Sequence, residues 1–162
     1  MGPDLLEQTI QEHGDSIYRV ALQYTRLPAD AEDVLQEVLL ERFRTKQTFT
    51  SPEHERYWLL RVTVNRCRNL LRSQRRRPVL PLDEAAELCA PENPDSRALY
   101  DAVNSLPRNQ RLAVDLFYYE GYSTAEIAKI LGAREATVRT WLRRARLNLK
   151  VLLKEEWDDE ES

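Results

Sequence analysis

Arg139, Arg143, Arg146 and Lys150 are the residues of this chain most clearly arranged to bind phosphate, because all four fall on one flank of a single helix. At 100° per residue, Val138, Trp141, Leu142, Ala145 and Leu149 occupy the adjoining side, so an apolar seam runs beside a cationic stripe. The segment before it, Ser123 to Gly132, reads as a short helix. Ser123 and Glu126 have the spacing of a capping box, Ile127, Ala128, Ile130 and Leu131 supply a buried side, and Gly132 stops the helix. A short helix, a glycine turn and a second helix with a cationic flank form a helix-turn-helix, the arrangement that lays a recognition helix into the major groove. The plainer alternative is a helical hairpin with a solvated charged face. DNA binding is the stronger reading, since nearly all the charge on the stripe has one sign.

A second face could also meet nucleic acid. In a helix starting at Ser51-Pro52 and running to about Arg76, Leu60, Thr63, Val64, Cys67, Leu70 and Leu71 make the core side. Trp58, Arg61, Asn65, Arg68, Asn69, Arg72 and Arg76 line up opposite. Amides can bond base edges, arginines can pair with phosphates, and a tryptophan can stack on an unstacked base. A merely solvated face would mix lysine with glutamate and would not expose a tryptophan.

The helix Asp30 to Arg44 is apolar on two sides. Ala31, Val34, Leu35 and Val38 form the natural core face, while Leu40 and Phe43 project roughly opposite, flanked by Asp33, Gln36 and Glu37. An apolar pair with a polar rim is the anatomy of a docking surface. Burial of the pair under another helix is the alternative, and the pattern alone does not choose between them.

Elements must be placed to hold these faces. At 162 residues the chain is one domain or two small ones, and 42% hydrophobic with 31% charged residues and only four glycines favours packed helices. The net charge of −3 argues against nucleic acid only as an average. Charge is segregated: Arg66 to Arg77 holds six arginines and no acid, and Glu155 to Glu161 carries six carboxylates. A local basic patch binds phosphate whatever the total. Cys67 and Cys89 are too few for a disulfide framework or a zinc site, and His13 and His54 have no partner at metal-ligand spacing. No catalytic residue, metal or cofactor is expected, and the chain does not read as an enzyme. With no signal peptide and no apolar run long enough for a membrane span, a soluble cytoplasmic protein without membrane contact is expected.

The pattern predicts an all-α chain of two helical domains. A first helix over about Asp4 to Arg26, buried through Leu6, Ile10, Ile17, Ala21 and Leu22, and the helices at Asp30 and Ser51 build residues 1–77. A proline-bearing linker, 78–96, is mostly extended, with room for a helical turn around Glu84 to Leu88. Residues 97–156 hold a helix from Leu106-Pro107 to Gly121 followed by the helix-turn-helix. The acidic tail, 157–162, should fray from Trp157 onward.

Three segments, DAEDVLQEVLLERF (Asp30 to Phe43), YWLLRVTVNRCRNLL (Tyr57 to Leu71) and the helix-turn-helix, together resemble bacterial RNA polymerase sigma factors. The resemblance is to the small extracytoplasmic-function (ECF) group, which has only the second and fourth conserved regions. It covers roughly Leu5 to Leu153 and implies specific partners. Asp33, Gln36 and Glu37, with Leu40 and Phe43, would dock on core RNA polymerase. Trp58, Arg61, Asn65 and Asn69, with Arg68, Arg72 and Arg76, would meet the promoter "minus ten" element. Glu135 to Lys150 would meet the "minus thirty-five" element through Arg134, Glu135, Thr137, Arg139, Thr140, Arg143, Arg144, Arg146 and Lys150. An anti-sigma factor is the implied inhibitor. Two departures stand out. Arg134 occupies a position where a serine-like cap is usual, weakening the cap by about 1 kcal/mol or contacting DNA directly. Trp141 replaces a polar residue, so no base contact is carried over there. The loop Lys46 to Ser51 shows no pattern that names a preferred base. The rival function is a stand-alone helix-turn-helix regulator binding a palindromic operator as a dimer, and a pure interaction module would leave both basic faces unexplained.

Overall fold

The computed structural model describes residues 2–73 and 94–161, with side chains described for 5–73 and 97–154. Arg76 and the 78–93 stretch, including the turn expected at Glu84 to Leu88, lie outside the described residues. The chain divides into two compact units, Met1–Leu80 and Pro81–Ser162. All regular elements among the described residues are helical.

The first unit packs α1 (Gly2–Thr25), α2 (Pro28–Arg44) and α3 (Pro52–Ser73) against one another. Arg26 ends α1 in the left-handed region (φ 61), its N–H bonded to the Leu22 carbonyl at 2.8 Å. Pro28 then opens α2 at a position where its missing N–H costs nothing. Ser51 caps α3, its Oγ accepting from the His54 N–H at 3.1 Å. The core is Ile17, Val20, Ala21, Ala31, Val34, Val38, Leu59, Leu60, Val64 and Cys67, all but fully buried. Thr63 joins it by bonding the Leu59 carbonyl at 2.7 Å, whereas Leu70 and Leu71 are only half-buried.

The buried stripe of α1 departs from expectation. Leu6 and Ile10 are 37% and 45% exposed, while Thr9 and His13 are buried with Ile17. The face of α1 turned to the core carries Thr9, His13 and Ile17, and its first turns lie beside the loop and the start of α3, where Leu5 and Thr9 share a cavity lining with Phe49 and Pro52.

In the second unit the long α7 (Glu135–Glu161) packs against α4 (Pro94–Asn104), α5 (Arg108–Val114) and α6 (Thr124–Leu131). Its core is Leu106, Leu112, Leu116, Ile127, Ile130, Val138, Leu142 and Ala145. Buried Arg111 donates to the Leu106 carbonyl at 2.9 Å. The single helix expected up to Gly121 instead changes winding. Asp115–Tyr119 form a π-helical turn, closed by the Glu120 N–H on the Asp115 carbonyl at 3.0 Å. Gly121 follows with φ 81, the left-handed bend that releases the chain toward α6. The expected fraying after Trp157 is not seen, because the backbone stays helical to Glu161. Extending a helix already fixed by packing costs little, and glutamate is a good helix former.

Candidate nucleic-acid interface

On α2 the residues Asp33, Gln36, Glu37, Leu40 and Phe43 are all exposed, and they recur every three or four positions as one continuous stripe. Leu40 is 51% and Phe43 55% exposed, which settles their surface position. Ala31, Val34 and Val38 are buried on the other side, and Leu35 is half-buried.

The opposing face of α3 is built as its sequence pattern predicts. Arg61, Asn65, Asn69 and Arg72 are exposed, while Trp58 and Arg68 are half-buried. Trp58 is held by Phe49, ring centroids 5.4 Å apart, and Phe49 also meets His54 edge-on at 5.4 Å. Arg42 sits over the Phe49 ring at 4.8 Å. These contacts fold the loop before α3 back onto the helix and fix the Trp58 ring. Loop residue Phe49 carried no sequence signal, because its partners come from elements on either side. Arg66 was also missed: its guanidinium bonds Glu41 at 3.0 Å and reaches Glu37 at 4.0 Å, joining α3 to α2. A cavity of about 560 Å³ opens between these helices, lined by Leu40, Glu41, Arg44, Trp58 and Arg66. The apolar stripe of α2 and the tryptophan of α3 therefore share one rim.

The helix-turn-helix forms through local signals. Ser123 Oγ accepts from the Glu126 N–H at 3.1 Å, and Glu126 returns a bond to the Ser123 N–H at 3.0 Å. Gly132 takes the left-handed conformation, φ 67, at the end of α6. Arg134 is exposed and supplies only its carbonyl to the start of α7, accepting from Val138 at 3.1 Å. Glu135 does the bridging instead, accepting from Thr124 Oγ1 at 2.8 Å and pairing with Arg139 at 3.1 Å.

Along α7, Arg139, Arg143, Arg144, Arg146 and Lys150 are exposed, whereas Thr137, Thr140 and Trp141 are half-buried. Thr140 turns its hydroxyl to the Ala136 carbonyl at 3.1 Å. The stripe is not uniform. Arg146 Nε donates to Tyr118 Oη at 2.6 Å and lies over the Phe117 and Tyr118 rings at 5.8 and 5.7 Å. Arg143, Arg144 and Lys150 have no such partner among the described residues.

One polar cluster lies away from both faces. His13, fully buried in α1, has Nε2 3.2 Å from Glu55 and 3.5 Å from Glu12. Burial lowers its pKa more than the pull of Glu55 raises it, so the imidazole is neutral near neutral pH. The packing of α1 on α3 brings Glu55 to the histidine, whose other acidic neighbour, Glu12, precedes it on α1.

Two helical units, one with an arginine–asparagine–tryptophan face and one with a helix-turn-helix and a cationic flank, define a two-module DNA-binding protein. The family model described as "Sigma-70 region 2" matches residues 9–77, and "Sigma-70, region 4" matches residues 96–149. The chain is 32% identical over 149 residues to the ECF RNA polymerase sigma factor SigM of Mycobacterium tuberculosis, covering 91% of this chain and 76% of SigM. It is 29% identical over 155 residues to the RNA polymerase sigma factor SigV of Bacillus subtilis, covering 94% and 93% of the two chains. Among solved structures, the sigma factor RpoE in complex with the anti-sigma factor NepR from Bartonella quintana superposes with a TM-score of 0.68 at 22% identity, covering 93% of this chain and 97% of that one. CnrH in complex with the cytosolic domain of CnrY gives 0.62 at 25% identity, covering 93% and 88%. The chain belongs to the ECF RNA polymerase sigma factors. It is a transcription initiation factor that directs core RNA polymerase to promoters and assists their opening. No helix among the described residues is long and apolar enough to cross a membrane.

Proposed function

We propose that the two modules divide promoter recognition along the faces described above, with residues 1–77 serving polymerase docking and the minus-ten element, and 97–156 the minus-thirty-five element. The α2 stripe Asp33, Gln36, Glu37, Leu40 and Phe43 docks on the polymerase, with Leu40 and Phe43 as its apolar anchors. Trp58, Arg61, Asn65, Arg68, Asn69 and Arg72 on α3 then hold bases extruded from the non-template strand. Stacking and phosphate pairing offset the few kcal/mol lost on unstacking each step. In the second module Arg139 reads base edges from early in the recognition helix, and Arg143, Arg144 and Lys150 hold phosphates. Joining two modest sites on one chain raises overall avidity without a new contact. The protein performs no chemistry of its own and works in the cytoplasm, where the polymerase is.

The observation that carries this reading is the cavity between α2 and α3, which Trp58 and exposed Leu40 both line. A docking surface beside a base-stacking face lets polymerase binding and strand capture act at one place. The solved relatives bound to NepR and CnrY support a further assignment: an anti-sigma protein inhibits this chain by covering the exposed α2 stripe or the DNA-binding faces. The deciding experiment is co-purification with core polymerase, followed by promoter binding with and without it. Recovery of the chain with core polymerase, and tight promoter binding only in its presence, is expected. Tight dimeric binding to a palindromic duplex without polymerase would overturn the reading in favour of a stand-alone regulator.

A further inference from the structure

We propose that Glu12, His13 and Glu55 form a site for a divalent transition-metal ion, with Zn²⁺ the best match, that fastens the start of α3 to α1. Ligand atoms of the three residues lie within 4.8 Å of one another. His13 Nε2 is 3.2 Å from Glu55 Oε1 and 3.5 Å from Glu12 Oε2. An ion about 2.1 Å from each ligand in tetrahedral geometry needs ligand atoms roughly 3.4 Å apart, so the two distances to the imidazole already match. One imidazole nitrogen and two carboxylate oxygens form a donor set suited to zinc and its first-row neighbours.

The second observation is the state of His13 itself. The ring is fully buried, and neither ring nitrogen has a hydrogen-bond partner among the described residues. Nε2 points into the carboxylates at contact distance but outside hydrogen-bonding geometry. A buried polar atom without a bond calls for a partner. Two acidic and two basic side chains, Glu12, Glu55, Arg42 and Arg56, surround the ring. Arg42 Nη2 lies 3.4 Å from the other oxygen of Glu55, Oε2, which steadies the carboxylate and leaves Oε1 toward His13. A neighbouring cavity of about 310 Å³, lined by Leu5, Thr9, Glu12, Phe49, Pro52 and Glu55, opens on the carboxylate side of the cluster, where an ion would enter. Arg42 also offsets part of the carboxylate charge, which keeps the affinity moderate. An ion here links α1 to the first turns of α3, immediately after the loop whose Phe49 holds Trp58.

The test titrates Zn²⁺ into the full-length chain after chelator treatment, read by calorimetry and by melting temperature. Expected is one saturable Zn²⁺ per chain and a higher melting temperature. Glu12 is surface-accessible, so Glu12→Gln should leave the metal-free melting temperature unchanged while weakening Zn²⁺ binding about tenfold or more. Glu55→Gln should weaken it similarly, and His54→Gln and Cys89→Ser, which remove other soft donors, should not. Absence of saturable binding, or binding that Glu12→Gln and Glu55→Gln leave intact, would overturn the proposal.

Discussion

Arg146 and Tyr118 are joined by a 2.6 Å hydrogen bond from Nε to the phenolic oxygen, which ties one member of the cationic stripe to its own module. Arg139, on the same stripe, pairs with Glu135 at 3.1 Å, while Arg143 and Lys150 have no bonded partner among the described residues. The four cations thus have unequal freedom, and their contributions to DNA binding and to stability should separate.

Tyr118→Phe removes the acceptor and keeps the ring, so the module should lose about 0.5–1 kcal/mol, the lower end for a charged donor at a solvent-exposed site. Lys150→Ala should leave stability unchanged. Denaturant unfolding of both variants checks this, and equal midpoints would mean the bond contributes nothing measurable.

Arg139→Ala should relax specificity at one or two base positions, costing roughly 1–3 kcal/mol against the preferred promoter. Lys150→Ala should weaken all sequences alike and reduce the salt slope by about 1. Because Arg139 pairs with Glu135 at 3.1 Å, Glu135→Gln should alter the Arg139-dependent positions most. Identical profiles for Arg139→Ala and Lys150→Ala on a panel of promoter variants would contradict the division.

Leu40→Ala should weaken binding to core polymerase by more than about 1 kcal/mol without lowering the melting temperature, since the side chain is half in solvent. Val38→Ala, on the buried side of the same helix, should cost roughly 2 kcal/mol of stability. A reversed outcome, with Leu40→Ala melting early and docking normally, would place Leu40 in the core.

Ser123→Ala should cost about 1 kcal/mol through loss of the capping box, and Gly132→Ala about 1–2 kcal/mol, because alanine is strained at φ 67. Amide exchange localised to α6 would report both. If α6 protection is unchanged in either variant, the cap it alters is not what holds that end of the helix.

What the sequence made legible is local. Ser123, Glu126 and Gly132 lie within ten residues of one another, and Val138, Leu142 and Ala145 repeat at helical spacing, so periodicity and capping chemistry locate them. Leu6 and Ile10 have the right period too, yet they stay exposed because the face that packs at the start of α1 is the one carrying Thr9 and His13. Phe49 against Trp58, Arg66 on Glu41, Tyr118 on Arg146 and Glu55 beside His13 are encounters between separate elements. No window along the chain contains them, and they determine how each face is held.

The π turn at Asp115–Tyr119 acts on the chain as an insertion of one residue into an α-helix. Deleting a single residue there would close the wide turn to ordinary α-winding and change which residue stands at each position ahead of Gly121. Tyr118 would be displaced from Arg146, and the bond that ties the cationic stripe to its own module would be lost. Loop lengths elsewhere can drift with little penalty, but in this stretch the residue count itself is under constraint, so relatives that keep the helix-turn-helix geometry should show no gaps between Asp115 and Gly121.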